Sequence, residues 1–138
     1  MVRGSCLCGG VRFEADAIEL LSNCHCSMCR KVHGAAYGTF ANAYKTGFRW
    51  VSGEDLVQSY QSSPHNTRPF CRVCGSNLPK ARHDDETWVI PAGLLDDDPG
   101  VRPCLHMFAG SKAPWHEIDD DLPSFDTYIP GYEPEEEA

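Results

Sequence analysis

The chain has 138 residues, of which 41% are hydrophobic, so its length and composition suit one folded domain with a modest core. Its 12 basic and 20 acidic residues give a net charge of −8 at pH 7, which argues against a general nucleic-acid-binding surface. No apolar run approaches the roughly 20 residues that a membrane-spanning helix requires, and the first residues lack a signal-peptide pattern. We therefore expect a cytoplasmic protein with reduced cysteines and with no nucleic-acid or membrane partner.

Short segments of alternating polarity predict a mainly β fold. At 11–15, apolar residues alternate with charged ones, which indicates a half-buried strand. A weaker strand at 56–61 has polar residues on both faces. Further segments rich in aromatic and β-branched residues lie at 37–44, 48–51 and 87–90. One short helix is expected at 27–32, with Ser27 as its N-cap.

No linker or internal repeat divides the chain, so we expect residues 1–132 to form a single domain. Residues 133–138 are acidic and are predicted to be a flexible tail. The sequence contains no feature that predicts an oligomeric state.

Four of the eight cysteines form two closely spaced pairs, C-x-C and C-x-x-C, each followed by glycine. Two thiolates on a tight turn are typical of a zinc knuckle, and glycine permits the positive φ that closes the turn. Two such pairs provide the four sulfurs of a closed, structural zinc site, with reduced core cysteines or redox disulfides as the alternatives. The predicted ligands are Cys6, Cys8, Cys71 and Cys74.

A second group, Cys24, Cys26 and Cys29, places three sulfurs within six residues. Three protein ligands and one open position are typical of a catalytic zinc, whose open position takes water or a substrate thiol. The alternative is a second closed site, with a fourth ligand from Cys104, His33 or His106. His25 lies between two of the cysteines, either as a catalytic acid or base at the open site or with its side chain in a surface hydrogen bond.

Several residues outside the cysteine clusters are predicted to have supporting roles. Arg30 and Lys31 directly follow a cysteine, so they are predicted to favour thiolate character and to attract a carboxylate-bearing substrate. We expect His106 to be a structural hydrogen-bond partner, with Trp115 and Phe125 in the core or in a pocket wall.

Three cysteine motifs in a fixed order connect the chain to a known family. They are G-S-C-L-C-G-G-V-R-F-E at 4–14, C-H-C-S-M-C-R at 24–30 and F-C-R-V-C-G at 70–75. With P-W-H-E-I-D-D-D-L-P-S-F-D at 114–126, they closely resemble the glutathione-dependent formaldehyde-activating family, which includes centromere protein V. The resemblance covers residues 4–132. It implies a mainly β, two-sheet fold of the Mss type, clamped by zinc and similar to B-type methionine sulfoxide reductases.

The resemblance also implies two zinc ions with different roles. The structural zinc would lie on Cys6, Cys8, Cys71 and Cys74, and the catalytic zinc on Cys24, Cys26 and Cys29. The implied function is that of a zinc-dependent carbon–sulfur lyase, which makes or breaks the C–S bond of a small thiol adduct resembling S-hydroxymethylglutathione. A non-catalytic, zinc-stabilised binding module is the competing function. A thiol redox enzyme is disfavoured because no βαβ pattern surrounds the C-x-x-C pair.

Overall fold

A computed structural model describes residues 1–64, 66–82 and 86–130 of the chain. These residues contain ten strands and one α-helix, which confirms the predicted mainly β fold with a short helix. In chain order the elements are β1 Val2–Ser5, β2 Arg12–Ala15, β3 Leu20–Cys24, α1 Ser27–His33, β4 Gly38–Tyr44, β5 Phe48–Ser52, β6 Val57–Ser63, β7 Asn66–Cys71, β8 Lys80–Ala81, β9 Thr87–Pro91 and β10 Pro103–Met107. The predicted tail at 133–138 lies outside the described residues.

The strands of the described chain form three sheets. One has five strands in the order β10-β3-β4-β9-β8, one has three in the order β1-β2-β5, and β6 pairs with β7 as a separate hairpin. The pairing is antiparallel everywhere except between β10 and β3. The resemblance implied two sheets, and the hairpin of β6 and β7 is a third, small sheet in addition to them. Its first strand carries polar residues on both faces, so it has no apolar face to bury against a larger sheet.

The main hydrophobic core lies between the three-stranded and the five-stranded sheet. Phe13 and Ala15 from β2 are buried there against Ala41 and Ile90 from the larger sheet. The ring of Phe13 also stacks on Phe48 at a centroid distance of 5.6 Å. Because β2 alternates buried and more exposed residues, the half-buried strand predicted at 11–15 is confirmed.

The helix α1 begins directly after Cys26, whose Sγ accepts a hydrogen bond from the Cys29 backbone N–H at 3.3 Å. The prediction that Ser27 caps the helix is therefore wrong, because a thiol one residue earlier occupies the capping position. The helix ends at Gly34, which has a φ of 60°. No helix in the described part of the chain has the length and apolarity needed to cross a membrane.

Candidate metal centres

The first candidate centre joins the turn after β1 to the turn after β7. Its four Sγ atoms, from Cys6, Cys8, Cys71 and Cys74, lie within 4.8 Å of one another. The Cys6 and Cys8 sulfurs are 3.5 Å apart, and those of Cys8 and Cys71 are 3.9 Å apart. Tetrahedral zinc with bonds of about 2.3 Å would place its sulfurs about 3.8 Å apart, so these residues fit the metal. All four are free thiols rather than disulfides.

Glycine closes both turns of this four-cysteine centre. The Gly9 N–H donates to the Cys6 carbonyl at 3.0 Å, and the Gly75 N–H donates to the Cys71 carbonyl at 2.7 Å. The φ angles of the two glycines are 78° and 81°, in the left-handed region that a Cβ disfavours. The glycine predicted to close the C-x-x-C turn has this conformation, and so has the one after the C-x-C pair.

Hydrogen bonds favour negatively charged sulfur at two positions of the four-cysteine centre, Cys6 and Cys74, whereas the side chains of the other cysteines raise the pKa of Cys8 to about 11. The Val11 backbone N–H donates to Cys6 Sγ at 3.3 Å. The Ser76 hydroxyl lies 3.3 Å from Cys74 Sγ and, together with the Ser76 backbone N–H, lowers the pKa of the Cys74 thiol to about 5. Donors placed in this way stabilise the thiolate form that a metal ligand must adopt.

The second candidate centre lies where β3 ends and α1 begins. Cys24 is the last residue of β3, Cys26 caps the helix, and Cys29 is buried in the first helical turn. Their Sγ atoms lie within 4.8 Å of one another, and no fourth His, Cys, Asp or Glu atom of the described chain joins them. Three thiols without a fourth protein ligand fit a metal ion that keeps one position open.

Each residue considered as a closing ligand has another partner in the structure. The Cys104 thiol donates to the Leu21 carbonyl oxygen at 3.3 Å. His33 Nδ1 lies 3.1 Å from Asn77 Nδ2. His106 binds other side chains, as described next, so its predicted role as a structural hydrogen-bond partner is confirmed.

His25 is fully buried, so the alternative of a surface hydrogen bond is wrong. Its Nε2 lies 2.8 Å from His106 Nδ1, and His106 Nε2 lies 2.9 Å from the Asp120 carboxylate. The carboxylate only accepts, so a neutral His106 donates to Asp120 from Nε2 and its Nδ1 accepts the Nε2–H of His25. The His25 ring packs on Tyr37 at 4.8 Å and has no hydrogen bond to a cysteine of the described chain. Its catalytic role stays a prediction.

Burial determines the protonation state of His25. Removal from water, reinforced by the charge that neighbouring His106 and His116 can carry, lowers the pKa of His25 to about 4. The imidazole is therefore neutral at pH 7 and holds its single ring proton on the nitrogen that faces His106.

The cation that contacts the three-cysteine centre is Arg68 on β7. Its Nη1 and Nη2 atoms lie 3.8 and 3.9 Å from Cys29 Sγ. Hydrogen bonds from the Cys24 and Cys29 side chains lower the pKa of the Cys26 thiol, and the positive charge of Arg68 acts in the same direction. The predicted cations Arg30 and Lys31 make no such contact within the described residues. Arg68 lies 39 positions from Cys29, and no sequence motif marks it.

The remaining predicted residues have diverse surroundings. His33 lines a cleft together with Arg68. Trp115 is 73% exposed, so its predicted place in the core or a pocket wall is wrong, whereas Phe125 is partly buried. The Phe125 backbone N–H donates to the His106 carbonyl, and the His106 N–H donates to the Pro123 carbonyl, both at 2.9 Å, which holds this later segment on β10.

The fold and the two cysteine clusters define a mainly β protein with two candidate metal centres. Residues 1–111 match the sequence model of the family described as glutathione-dependent formaldehyde-activating enzyme. The chain belongs to this family, as the order of its cysteine motifs predicted.

Named relatives and a solved structure resemble the chain. A Halomonas elongata protein that carries the family's name is 30% identical over 131 residues, covering 89% of this chain and 69% of the relative. An uncharacterized lyase of Schizosaccharomyces pombe is 36% identical over 76 residues, covering 54% of this chain. The chain spans about half of that relative, 53% of its length. Both relatives have enzyme names, which supports an enzymatic role.

The crystal structure of a Rhodobacter sphaeroides protein is also similar. It has a TM-score of 0.59 and 27% sequence identity, and the match covers 73% of this chain and 91% of that one. The similarity therefore extends over nearly the whole of the solved chain.

Proposed function

We propose that the chain is a zinc-dependent carbon–sulfur lyase, which forms or cleaves the bond between a small thiol and an aldehyde carbon. The observation that carries the proposal is the cluster of Cys24, Cys26 and Cys29, which has three thiols and no fourth described ligand. Family membership and the names of the two relatives support the same class of reaction. An adduct of glutathione and formaldehyde is the substrate that the family's description favours.

The reaction adds a thiol across the C=O bond of an aldehyde. A sulfur–carbon bond forms, the carbon–oxygen π bond breaks, and the proton of the thiol ends on the oxygen. Cleavage of the adduct is the reverse of these changes. Zinc held by the three cysteines would supply a Lewis acid that keeps a substrate sulfur in its thiolate form, the form that adds to carbon and departs from it.

The protein's own residues hold this centre in place. Arg68 donates to Cys29 Sγ from the hairpin, which stabilises a thiolate on the helix. The buried bond between His25 and His106 fixes the backbone between Cys24 and Cys26. Both sulfurs are therefore presented from a segment that is anchored on the five-stranded sheet.

The four-cysteine centre serves a different role in this proposal. Its four sulfurs leave no open position on a tetrahedral ion, and closed sites of this kind are structural. We assign the two proposed zinc ions accordingly, the structural one to Cys6, Cys8, Cys71 and Cys74 and the catalytic one to Cys24, Cys26 and Cys29.

The test measures exchange between glutathione, formaldehyde and their adduct by NMR in the presence of zinc-loaded protein. We expect the protein to accelerate the exchange and Cys26→Ser to return it to the uncatalysed rate. Cys104→Ser is the matched control and should keep full activity, because its thiol only donates to a backbone carbonyl. If zinc-loaded protein accelerates no exchange with glutathione adducts of several aldehydes, the lyase proposal fails and a binding module is favoured.

A further inference from the structure

Two cations line a cleft beside the three-cysteine centre, and neither has a carboxylate partner within the described residues. They are Arg68 on β7 and Lys80 on β8. Arg3, Arg49 and Arg102, by contrast, each have a carboxylate partner. Burying positive charge is costly unless an anion compensates it. Thiolates of the three-cysteine centre compensate part of this charge, since Cys29 contacts Arg68 and the charges of Cys29 and Cys26 raise the pKa of Lys80 against the effect of burial.

The guanidinium of Arg68 is held between the hairpin and the cysteines. Two of its nitrogens lie within 3.9 Å of Cys29 Sγ, while its buried Nε has no hydrogen-bond partner among the described residues. An arginine side chain offers five N–H donors, and two distant contacts with one sulfur leave most of its capacity unused. The group is thus positioned to receive an acceptor that the described chain does not provide.

Lys80 is fixed at the same cleft by Asn66 and Thr67. Its Nζ donates to the Asn66 side-chain oxygen and, at 3.1 Å, to the Thr67 carbonyl. An ammonium group has three donors, so one remains. Burial, together with the positive charge of Arg68, lowers the pKa of Lys80 to about 8. The two cations are close enough to repel each other, a repulsion that a bound anion would remove.

The cleft that Arg68 and Lys80 line is narrow, with a volume of about 20 Å³, and it opens beside a wider one. The two clefts share His33, Asn77 and Pro91, and the wider one has a volume of about 400 Å³. Sites for small molecules commonly have volumes of about 300–1,000 Å³. A ligand whose body occupies the wider cleft can therefore place one small group, such as a carboxylate oxygen, beside the two cations.

We propose that Arg68 and Lys80 form the subsite that binds a carboxylate of the thiol substrate. The thiol sulfur would lie at the three-cysteine centre while the carboxylate accepts charge-assisted hydrogen bonds from the two side chains. This inference rests on the proposed function and adds the residues that recognise the carboxylate of its substrate. It also transfers the predicted attraction for a carboxylate from Arg30 and Lys31 to two residues that are distant in sequence.

The experiment compares two thiols that differ only in charge, 3-mercaptopropionate and its methyl ester. Visible spectra of the cobalt-loaded protein report binding of either sulfur to the metal. We expect the wild-type protein to bind the acid more tightly than the ester. Arg68→Gln and Lys80→Gln should each weaken binding of the acid about tenfold to a hundredfold, the range for one charge-assisted hydrogen bond, and Lys80→Gln should leave binding of the ester unchanged. Arg102→Gln, which removes an exposed cation elsewhere, should bind both thiols as the wild type does.

A third probe tests the carboxylate subsite independently of binding of a thiol to the metal. The compound 3-(methylthio)propionate retains the carboxylate but has no thiol, and NMR titration measures its affinity. We expect binding that both variants weaken. Since Arg68 contacts Cys29, its substitution can disturb the cluster, and Lys80→Gln, whose side chain has no hydrogen bond to a cysteine, then decides the outcome.

The outcomes separate the two proposals. Equal affinity of the wild type for acid and ester, or unchanged binding of all three probes in Lys80→Gln, overturns the subsite and leaves the lyase proposal standing. If neither thiol alters the cobalt spectrum, the lyase proposal fails. In that case the methylthio probe still decides the subsite: binding that Lys80→Gln weakens supports it, and absence of binding overturns it.

Discussion

The two cysteine clusters are built from different parts of the chain although their ligands are the same. Cys8 and Cys71 are 63 positions apart, so the four-cysteine centre connects two distant turns. The three-cysteine centre occupies six residues at the junction of β3 and α1. A ligand set from distant segments restricts a long loop of the unfolded chain, whereas a local set restricts little. One centre can therefore hold the fold together while the other remains available for chemistry.

The groups that contact the sulfurs also differ between the two clusters. Backbone N–H groups donate to a sulfur in both centres. A serine hydroxyl is added at the four-cysteine centre, whereas a charged side chain from another sheet contacts the three-cysteine centre. Backbone donors are fixed by the turn, but Arg68 can in addition contact a ligand. The following predictions test this division of roles, in order of decreasing effect.

The largest effect is expected for Cys71→Ser, which removes a fully buried ligand of the four-cysteine centre. Structural zinc contributes about 10–16 kcal/mol in small zinc domains, comparable to the whole stability of an ordinary domain. We expect unfolded or insoluble protein, measured by circular dichroism and solubility after expression. A soluble variant with an unchanged melting temperature would show that these sulfurs hold no structural metal.

Cys26→Ser should leave the fold intact and change only the metal content. The wild-type chain is expected to bind two zinc ions, the second more weakly because it has three protein ligands. Elemental analysis should therefore find one zinc ion per chain in this variant and two in the Cys104→Ser control. A wild-type protein that retains a single ion after zinc is added back would remove the three-cysteine centre from the proposal.

His106→Leu tests whether the buried histidine pair supports the three-cysteine centre. The substitution leaves the Nε2–H of fully buried His25 without an acceptor, which should cost about 2 kcal/mol of unfolding free energy. Denaturant titration measures this loss, and the spectrum of cobalt at the centre should change with it. Asp119→Asn is the control, since that carboxylate is exposed beside the one that binds His106. Equal stability of His106→Leu and the wild type would contradict the assignment.

The smallest effect is expected in the turn of the four-cysteine centre. A Cβ at Gly75 would meet no atom within 4 Å, so Gly75→Ala is disfavoured only by the φ of 81°. The expected loss is about 1 kcal/mol of unfolding free energy. Gly93→Ala provides the matched control, because that site is equally open and its φ is not positive. Similar melting curves for the two variants would show that the turn tolerates the change.

Local patterns predicted much of the fold and the composition of both clusters. The alternation at 11–15 identifies β2 because a half-buried strand repeats every two residues. The C-x-x-C pair of Cys71 and Cys74 can be recognised as a metal-binding turn in the sequence, because the spacing of the two ligands and the glycine after them belong to one turn. Such features depend on neighbouring residues only, so the sequence alone contains them.

The residues that surround the clusters could not be predicted in this way. Arg68 reaches Cys29 only because the hairpin folds over the helix, and His106 reaches His25 only because β10 pairs in parallel with β3. Neither arrangement follows from spacing along the chain. The Ser27 cap failed for a different reason, since the thiol of Cys26 competes for the same backbone N–H at the helix start.

The late position of Cys71 in the chain has a consequence for protein synthesis. Five cysteines precede it, so a ribosome releases the complete three-cysteine segment before the four-cysteine centre can exist. A short loop closes at little entropic cost, and we therefore expect nascent chains to capture zinc first at Cys24–Cys29. The ion would then move to the stronger centre once β7 delivers its two sulfurs. Refolding with one equivalent of cobalt should accordingly show a three-sulfur spectrum that is replaced by a four-sulfur one. On this view the three-cysteine segment also serves, during biosynthesis, as the point where metal enters the protein.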